Sequence, residues 1–263
     1  MKTLIVFAKA PVPGFVKTRL AKDTPLDEEQ VCALYEAFLK DTITVATLTE
    51  AERIAIHYTP SDMEGAMRKI VKRLKLGVRN EKRFTFRAQE GETFTEKVSN
   101  SFKAEGSTGE AELVMIGADA PTLKPGAIDD AFDFIYSRSG VALGPSYEGG
   151  LYLIGHPSTL PIDCAKVFAE GSEIENFVNI AKELNVPIKL LPETLDVDVG
   201  ADLITLMGLI HAMAYQRQFE TCVFPTHTNE VISWLGLSVA RDSDNTRSKK
   251  IVLTELRNSI PVN

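Results

Sequence analysis

The sequence predicts an α/β fold on a mostly parallel sheet, and three observations carry that prediction. Short apolar runs of strand length alternate with longer segments whose apolar residues recur at helical spacing. Loops rich in Gly, Pro and charge follow the runs. One pair of runs, 141–144 and 151–155, is joined by a Gly-rich link too short for a parallel crossover, so one antiparallel strand is expected within the sheet. At 263 residues, 44% hydrophobic and 25% charged, the chain can bury a proper core.

The elements follow in order. Residues 3–8 read as a buried first strand. Val31, Leu34, Tyr35, Phe38 and Leu39 stand at helical spacing within 27–48, with Pro25 just upstream as a start signal. Residues 53–58 alternate as a strand. Ser61-Asp62-Met63-Glu64 has the capping-box pattern and predicts a helix to about Leu74. Residues 83–88 read as a strand with Phe84 and Phe86 on one face, and 93–104 as a helix with Phe94, Val98 and Phe102 apolar. A strand at 113–116, a helix at 127–137 and strands at 141–143 and 151–154 come next. A helix at 173–184, a strand at 188–191 and a strongly apolar helix at 201–218 complete the series. Residues 1–220 are expected to form one domain, with 221–263 as a C-terminal extension packed on it. The polar stretch 241–250 is the best candidate for a mobile loop.

Composition excludes several classes. A formal net charge of −7 argues against a nucleic-acid partner, which would call for a basic face. Cys32, Cys164 and Cys222 are odd in number and far apart, which gives neither a disulfide framework nor a zinc site. The N-terminal apolar run is too short for a secretory signal, and no stretch reaches membrane-spanning length, so a soluble cytoplasmic protein is expected. His57, His156, His211 and His227 show no ligand spacing and are given no role.

Against the acidic background, residues 9–22 hold Lys9, Lys17, Arg19 and Lys22 with no carboxylate until Asp23. A Pro/Gly loop with these cations after a first strand suits a phosphorylated small ligand. Gly14 permits backbone conformations that point N–H groups at an anion, and an extended 17–19 segment would send Lys17 and Arg19 to one side. Ligands of open α/β sheets bind beyond the carboxyl ends of the strands. Three further exits carry polar groups there: Gly117-Ala118-Asp119, then Gly144-Pro145-Ser146-Tyr147-Glu148-Gly149-Gly150, then Asp196-Val197-Asp198. Cations with carboxylates are what a metal-bridged diphosphate needs. The competing readings are plain: a solvated loop, a turn aspartate at 119, a tight connection at 149–150, and Asp196 or Asp198 capping the helix near Gly200.

The ordered set Lys9-x-Pro11-x-Pro13-Gly14-x-Val16-Lys17-Thr18-Arg19-Leu20, Gly117-Ala118-Asp119-x-Pro121-Thr122-Leu123, Gly144-Pro145-x-x-x-Gly149-Gly150-x-Tyr152-Leu153-Ile154-Gly155 and Asp196-Val197-Asp198 resembles a bacterial and archaeal branch of the nucleotide-diphospho-sugar transferases. The resemblance spans roughly residues 2–238. More remotely, the chain is similar to guanylyltransferases of the molybdenum-cofactor and phospholactate type. The resemblance implies a three-layer, Rossmann-like GT-A fold and a glycosyltransferase using a metal-bound nucleotide-sugar. The alternatives are a nucleotidyltransferase acting on an NTP and a phosphorylated acceptor, or a degenerate, non-catalytic nucleotide-binding protein. It implies phosphate binding by Lys9, Pro11, Gly14, Lys17, Thr18 and Arg19, and catalytic roles for Lys17, Asp119 and Glu148. Mg²⁺ or Mn²⁺ would sit on Asp119 and Asp198, with Glu148, Gly149 and Gly150 toward the sugar or acceptor. The chain also departs from the family pattern. Glu148 replaces an aspartate, Gln89–Lys97 loses an aspartate and a glycine, an Ile-Pro-Trp segment is missing before Gly171-Ser172, and Asp198-Val199-Gly200 replaces Asp-Thr-Pro. Base, sugar, acceptor and oligomeric state are not specified by these motifs.

Overall fold

The computed structural model describes residues 1–107, 109–147, 149–242 and 249–253. Seven strands form the main sheet: β1 (Lys2–Lys9), β2 (Arg53–Thr59), β3 (Phe84–Ala88), β4 (Glu112–Ile116), β5 (Val141–Pro145), β6 (Leu151–Pro157) and β7 (Ile188–Leu190). Their order is β3-β2-β1-β4-β6-β5-β7. All neighbours pair in parallel except β6, which runs antiparallel to both β4 and β5. The expected sheet, with its single reversed strand, is the one observed. Reversal places the start of β6 on the same rim as the ends of the other strands.

Helices cover both faces. One face carries α1 (Thr18–Asp23), α2 (Glu28–Thr47), α3 (Glu64–Arg73), α6 (Pro125–Arg138), α9 (Gly200–Gln216) and α10 (Thr226–Trp234), whose apolar residues pack on Leu4, Val6 and Ala8 of β1. The other carries α5 (Phe94–Gly106), α7 (Cys164–Val167) and α8 (Glu173–Leu184), packed on Ile5 and Phe7. Side chains of a strand alternate between faces, so β1 alone feeds two apolar cores. The short α4 (Val78–Glu81) lies between α3 and β3.

Side-chain caps open α2 and α5. Asp27 accepts from Gln30 N at 2.8 Å while Gln30 Oε1 accepts from Asp27 N at 3.0 Å, and Thr93 with Glu96 closes the same reciprocal box on α5. Ser61 makes no such cap. Residues Ser61–Met63 form a 3₁₀ turn after Pro60, and α3 begins at Glu64. The segment 53–58 is not half exposed either: Ile54 to Tyr58 are buried on both faces, as suits a central parallel strand. That burial includes His57, whose Nδ1 meets Ser101 Oγ at 2.8 Å and whose Nε2 meets Glu105 Oε1 at 3.0 Å. Arg53 closes on Glu105 Oε2 at 2.7 Å. Burial pushes the Glu105 carboxyl up, but His57, Arg53 and Arg87 outweigh it and hold it below the usual range. The network ties α5 to β2 and so fixes the helix whose first turn reaches the sheet rim.

Beyond 220, α10 packs on α2, and a separate hairpin of β8 (Leu237–Arg241) and β9 (Lys249–Leu253) follows. Ile232, Leu235, Leu237 and Ile251 join the core beneath β1. Most of the stretch expected to be a mobile loop, residues 243–248, lies outside the described residues. Among the described residues no helix is long and apolar enough to cross a membrane.

One buried carboxylate docks this segment. Asp41, on α2, accepts from His227 N at 3.1 Å and Thr228 N at 2.8 Å, the free amides that open α10. Asp41→Ala should cost about 1–3 kcal/mol in denaturant unfolding, because buried amides lose their acceptors. Asp41→Asn, which keeps a carbonyl oxygen, should recover part of that loss; an alanine variant as stable as wild type would show the docking to be dispensable.

Candidate functional site

The C-terminal rim of the sheet opens into a cleft of about 880 Å³. Lys9, Lys17, Thr18, Arg19, Asp119, Gly150, Asp196 and Asp198 line it, so the four strand exits singled out in the sequence do converge. Pro11, Gly14 and Gly149 do not line it. Gly14 has φ +74°, and a Cβ there would stand 2.8 Å from Glu28 Oε2, so this glycine faces a carboxylate on α2. Glu148 lies outside the described residues.

The ends of β1 and β2 are pinned by side chains that the sequence reading passed over. Tyr35 Oη accepts from Lys9 N at 3.0 Å and donates to Lys9 O at 3.1 Å. The Gln89 carboxamide donates at 3.0 Å to both Ala8 O and His57 O. Each occupies main-chain groups that would otherwise leave the ladder unpaired. Tyr35 stood in the sequence as part of a core stripe, and only its polar tip hinted at more.

The cationic loop folds differently from the extended segment expected. Lys17 adopts a left-handed conformation, φ 46° and ψ 41°, as the N-cap of α1, and helix begins at Thr18. The cations therefore separate. Lys17 turns inward, its side chain 8% exposed, with Nζ 2.8 Å from Asp119 Oδ2 and 2.6 Å from Asp198 Oδ1. Arg19 stays 75% exposed, yet its guanidinium lies 3.5 Å from Asp198 Oδ2. Lys9 Nζ sits over the Phe15 ring, 5.2 Å from its centroid.

The two aspartates meet because residues 191–199 run back along the rim. Thr194 N donates to Pro145 O at 3.2 Å, and Val197 N donates to Asp119 O at 3.0 Å. Neither Asp196 nor Asp198 caps α9. Asp202, one turn inside that helix, accepts from Asp198 N and Val199 N at 2.9 Å each, which leaves the Asp198 carboxylate free for Lys17. A carboxylate at the third helical position is a legible capping signal, and it marks Asp202 as a positioning residue.

Charge is balanced closely here. Burial disfavours the Lys17 ammonium, but Asp119 and Asp198 outweigh it and raise its pKa above the ordinary range. Burial also pushes the Asp198 carboxyl up, and Lys17, then Arg19 and Lys9, bring it below its usual value. Asp196 is raised by burial and by the charge of Asp119, and its Oδ1 is buried without a hydrogen-bond partner among the described residues. No three His, Cys, Asp or Glu side chains among the described residues form a ready-made metal site. Asp119 and Asp198 are nonetheless hard oxygen donors of the kind a divalent cation takes, and the Lys17 ammonium lies between them.

The opposite wall is aromatic. Phe94 is 59% exposed although its ring packs edge-on against Phe7 at 5.9 Å and Phe168 at 5.1 Å. Lys97, one turn along α5, lines the cleft beside it. The site is therefore divided between a charged end and an aromatic end.

A family model described as "Uncharacterized protein conserved in bacteria (DUF2064)" matches residues 42–170. No protein of curated function matches the sequence. The fold is that of a Desulfovibrio desulfuricans G20 protein proposed to be a nucleotide-diphospho-sugar transferase, at 24% identity and a TM-score of 0.68, covering 89% of this chain and 98% of that one. It is similar also to a cytidylyltransferase from Leptospira borgpetersenii, at 12% identity and a TM-score of 0.50, covering 89% and 94%. A 4-diphosphocytidyl-2C-methyl-D-erythritol synthase from Anaerococcus prevotii matches at 10% identity and a TM-score of 0.50, covering 80% and 99%. The expected GT-A-like architecture is thus the one these neighbours share.

A Cβ at Gly117 would stand 2.8 Å from Asp119 Oδ1, so the carboxylate folds over a surface that only glycine leaves open. Gly117→Ala should keep the fold, since a side-chain tip can move, but loosen the Lys17–Asp119 pair. Proton NMR of the Lys17 ammonium checks this: exchange with water should quicken in the variant, and unchanged exchange would show that Gly117 does not set the carboxylate's position.

Proposed function

We propose that this chain is a transferase that binds a nucleotide or nucleotide-sugar by its phosphates and passes a glycosyl group to an acceptor. One observation carries the reading: Lys9, Lys17 and Arg19 from a single loop meet Asp119 and Asp198 from two other strand exits on one rim of the cleft. The fold shared with nucleotide-sugar and cytidylyl transferases supports it.

In this reading Arg19 and Lys9 receive the phosphate oxygens. Arg19 is far more open than Lys17, and its planar fork suits a phosphate. Asp119 and Asp198 would hold a divalent cation, which when bound supplies charge neutralisation at the phosphate oxygens. Asp202 keeps Asp198 turned toward the cleft. Tyr35 and Gln89 fix the strand ends from which the cationic loop springs, so its main chain is held in place before a ligand arrives. The aromatic wall of Phe7, Phe94 and Phe168 takes the uncharged part of the ligand or its acceptor. Nucleotidyl transfer from an NTP is the second reading, favoured by the two cytidylyltransferase-like folds. Released pyrophosphate would identify it, whereas a released nucleoside diphosphate would identify glycosyl transfer.

A thermal-shift panel of NTPs and nucleoside-diphosphate sugars, with and without Mg²⁺ or Mn²⁺, tests the proposal, since a ligand of the native state raises its melting temperature. Stabilisation by at least one nucleotide and none by the matching nucleoside is expected; a flat panel would refute it. Arg19→Ala should weaken nucleotide binding by about 1–3 kcal/mol, the range for hydrogen bonds to charged groups. Phe94→Ala, which removes an exposed ring, should leave inorganic pyrophosphate binding unchanged while lowering affinity for the full substrate in calorimetry. Equal loss for both probes would place Phe94 in support of the phosphate end instead.

A further inference from the structure

We propose that Lys17 is a resident counter-cation that keeps Asp119 and Asp198 closed to a divalent metal until a phosphate draws its ammonium away. The nucleotide half of this statement rests on the function proposed above; the counter-cation half does not.

Lys17 occupies the space between the two carboxylates. Its Nζ takes one oxygen of each, at 2.8 and 2.6 Å, and the side chain is almost wholly buried. Residues of this type rarely adopt the left-handed backbone that Lys17 shows, and here that conformation turns the chain so that the ammonium points inward while α1 starts on the next residue. Asp202 holds the other side of the contact by fixing the main chain of Asp198 and Val199. Both partners are thus held by backbone devices, which a phosphate-seeking lysine on a free loop would not need.

Arg19 and Lys9 remain at the cleft with their charged ends accessible, so an arriving phosphate meets them first. A metal alone would be pressed against a buried ammonium of like sign, on carboxylates already neutralised. A phosphate changes both conditions. It offers Lys17 new acceptors, which frees the carboxylate oxygens, and it supplies negative charge and further oxygen ligands to the metal. Metal and nucleotide should therefore bind with positive coupling, each raising the affinity of the other by the same factor.

Mn²⁺ titration followed by electron paramagnetic resonance tests this, reading bound against free ion without any turnover. Wild-type protein alone should bind Mn²⁺ weakly, and Lys17→Met, with its carboxylates released, should bind it roughly tenfold or more tightly. Lys17→Gln, which retains a hydrogen-bond donor toward the aspartates, should show the same gain if the methionine variant does not fold. Wild-type protein given CDP, GDP or UDP should gain Mn²⁺ affinity, and the Lys17 variants should gain less from the same nucleotide. Wild-type Mn²⁺ binding as tight as that of either variant would overturn the proposal, as would variants that gain nothing. If no nucleotide binds yet the variants gain Mn²⁺, the transferase reading fails and the counter-cation stands.

Discussion

Two carboxylates seventy-nine positions apart in sequence (119 and 198) are brought face to face at the sheet rim, and they need a cation between them. Like charges this close in a partly desolvated site are unfavourable until neutralised. Lys17 answers that requirement from a third place in the chain, and much of the surrounding structure serves the contact. Val197 pairs with the main chain of Asp119, Asp202 orients Asp198, and Gly117 leaves room for the Asp119 carboxylate. Tyr35 and Gln89 hold the strand ends from which the Lys17 loop departs. The charges are gathered by main-chain contacts at 117, 197 and 202, so a ligand that shifts the Lys17 side chain leaves the backbone frame in place.

The parallel sheet makes this economical. Every strand but one ends on the same rim, so each crossover delivers its loop there while the helices fill the two faces. The face carrying α2 and α9 delivers the charged half of the cleft, and the face carrying α5 delivers the aromatic half. The buried His57–Glu105–Arg53 network on that second face holds α5 at a fixed height, and thereby the ring of Phe94. Its contribution is structural: the His57 and Glu105 side chains at its centre are buried.

Much of this was legible in the sequence. Strands announce themselves as apolar runs, and the reversed strand follows from a link too short for a crossover. The rim residues Lys9, Arg19, Asp119 and Asp198 were found because polar groups directly after buried strands have few other places to go. What stayed hidden was set by tertiary contact. Nothing local to Lys17 requires a left-handed backbone; the carboxylate pair does, and it is assembled from distant segments. The capping pattern at Ser61 was overridden by a 3₁₀ turn after Pro60. Helix α10 and the β8–β9 hairpin are short and amphipathic at best, and they are held by contacts such as that of Asp41 rather than by their own propensity. Asp202 alone had a readable signal that went unused.

The reversed strand β6 has one more consequence. It joins β5 through a hairpin at the rim, whereas every parallel neighbour is reached by a helix on one face or the other. A change of length in that hairpin would alter no parallel crossover, provided the Ser146–Thr194 bridge beside residues 191–199 is kept. Natural variation in length at this one link could therefore reshape the cleft across a lineage while the charged machinery opposite stays constant, giving the fold a place to change partners without relearning how to fold.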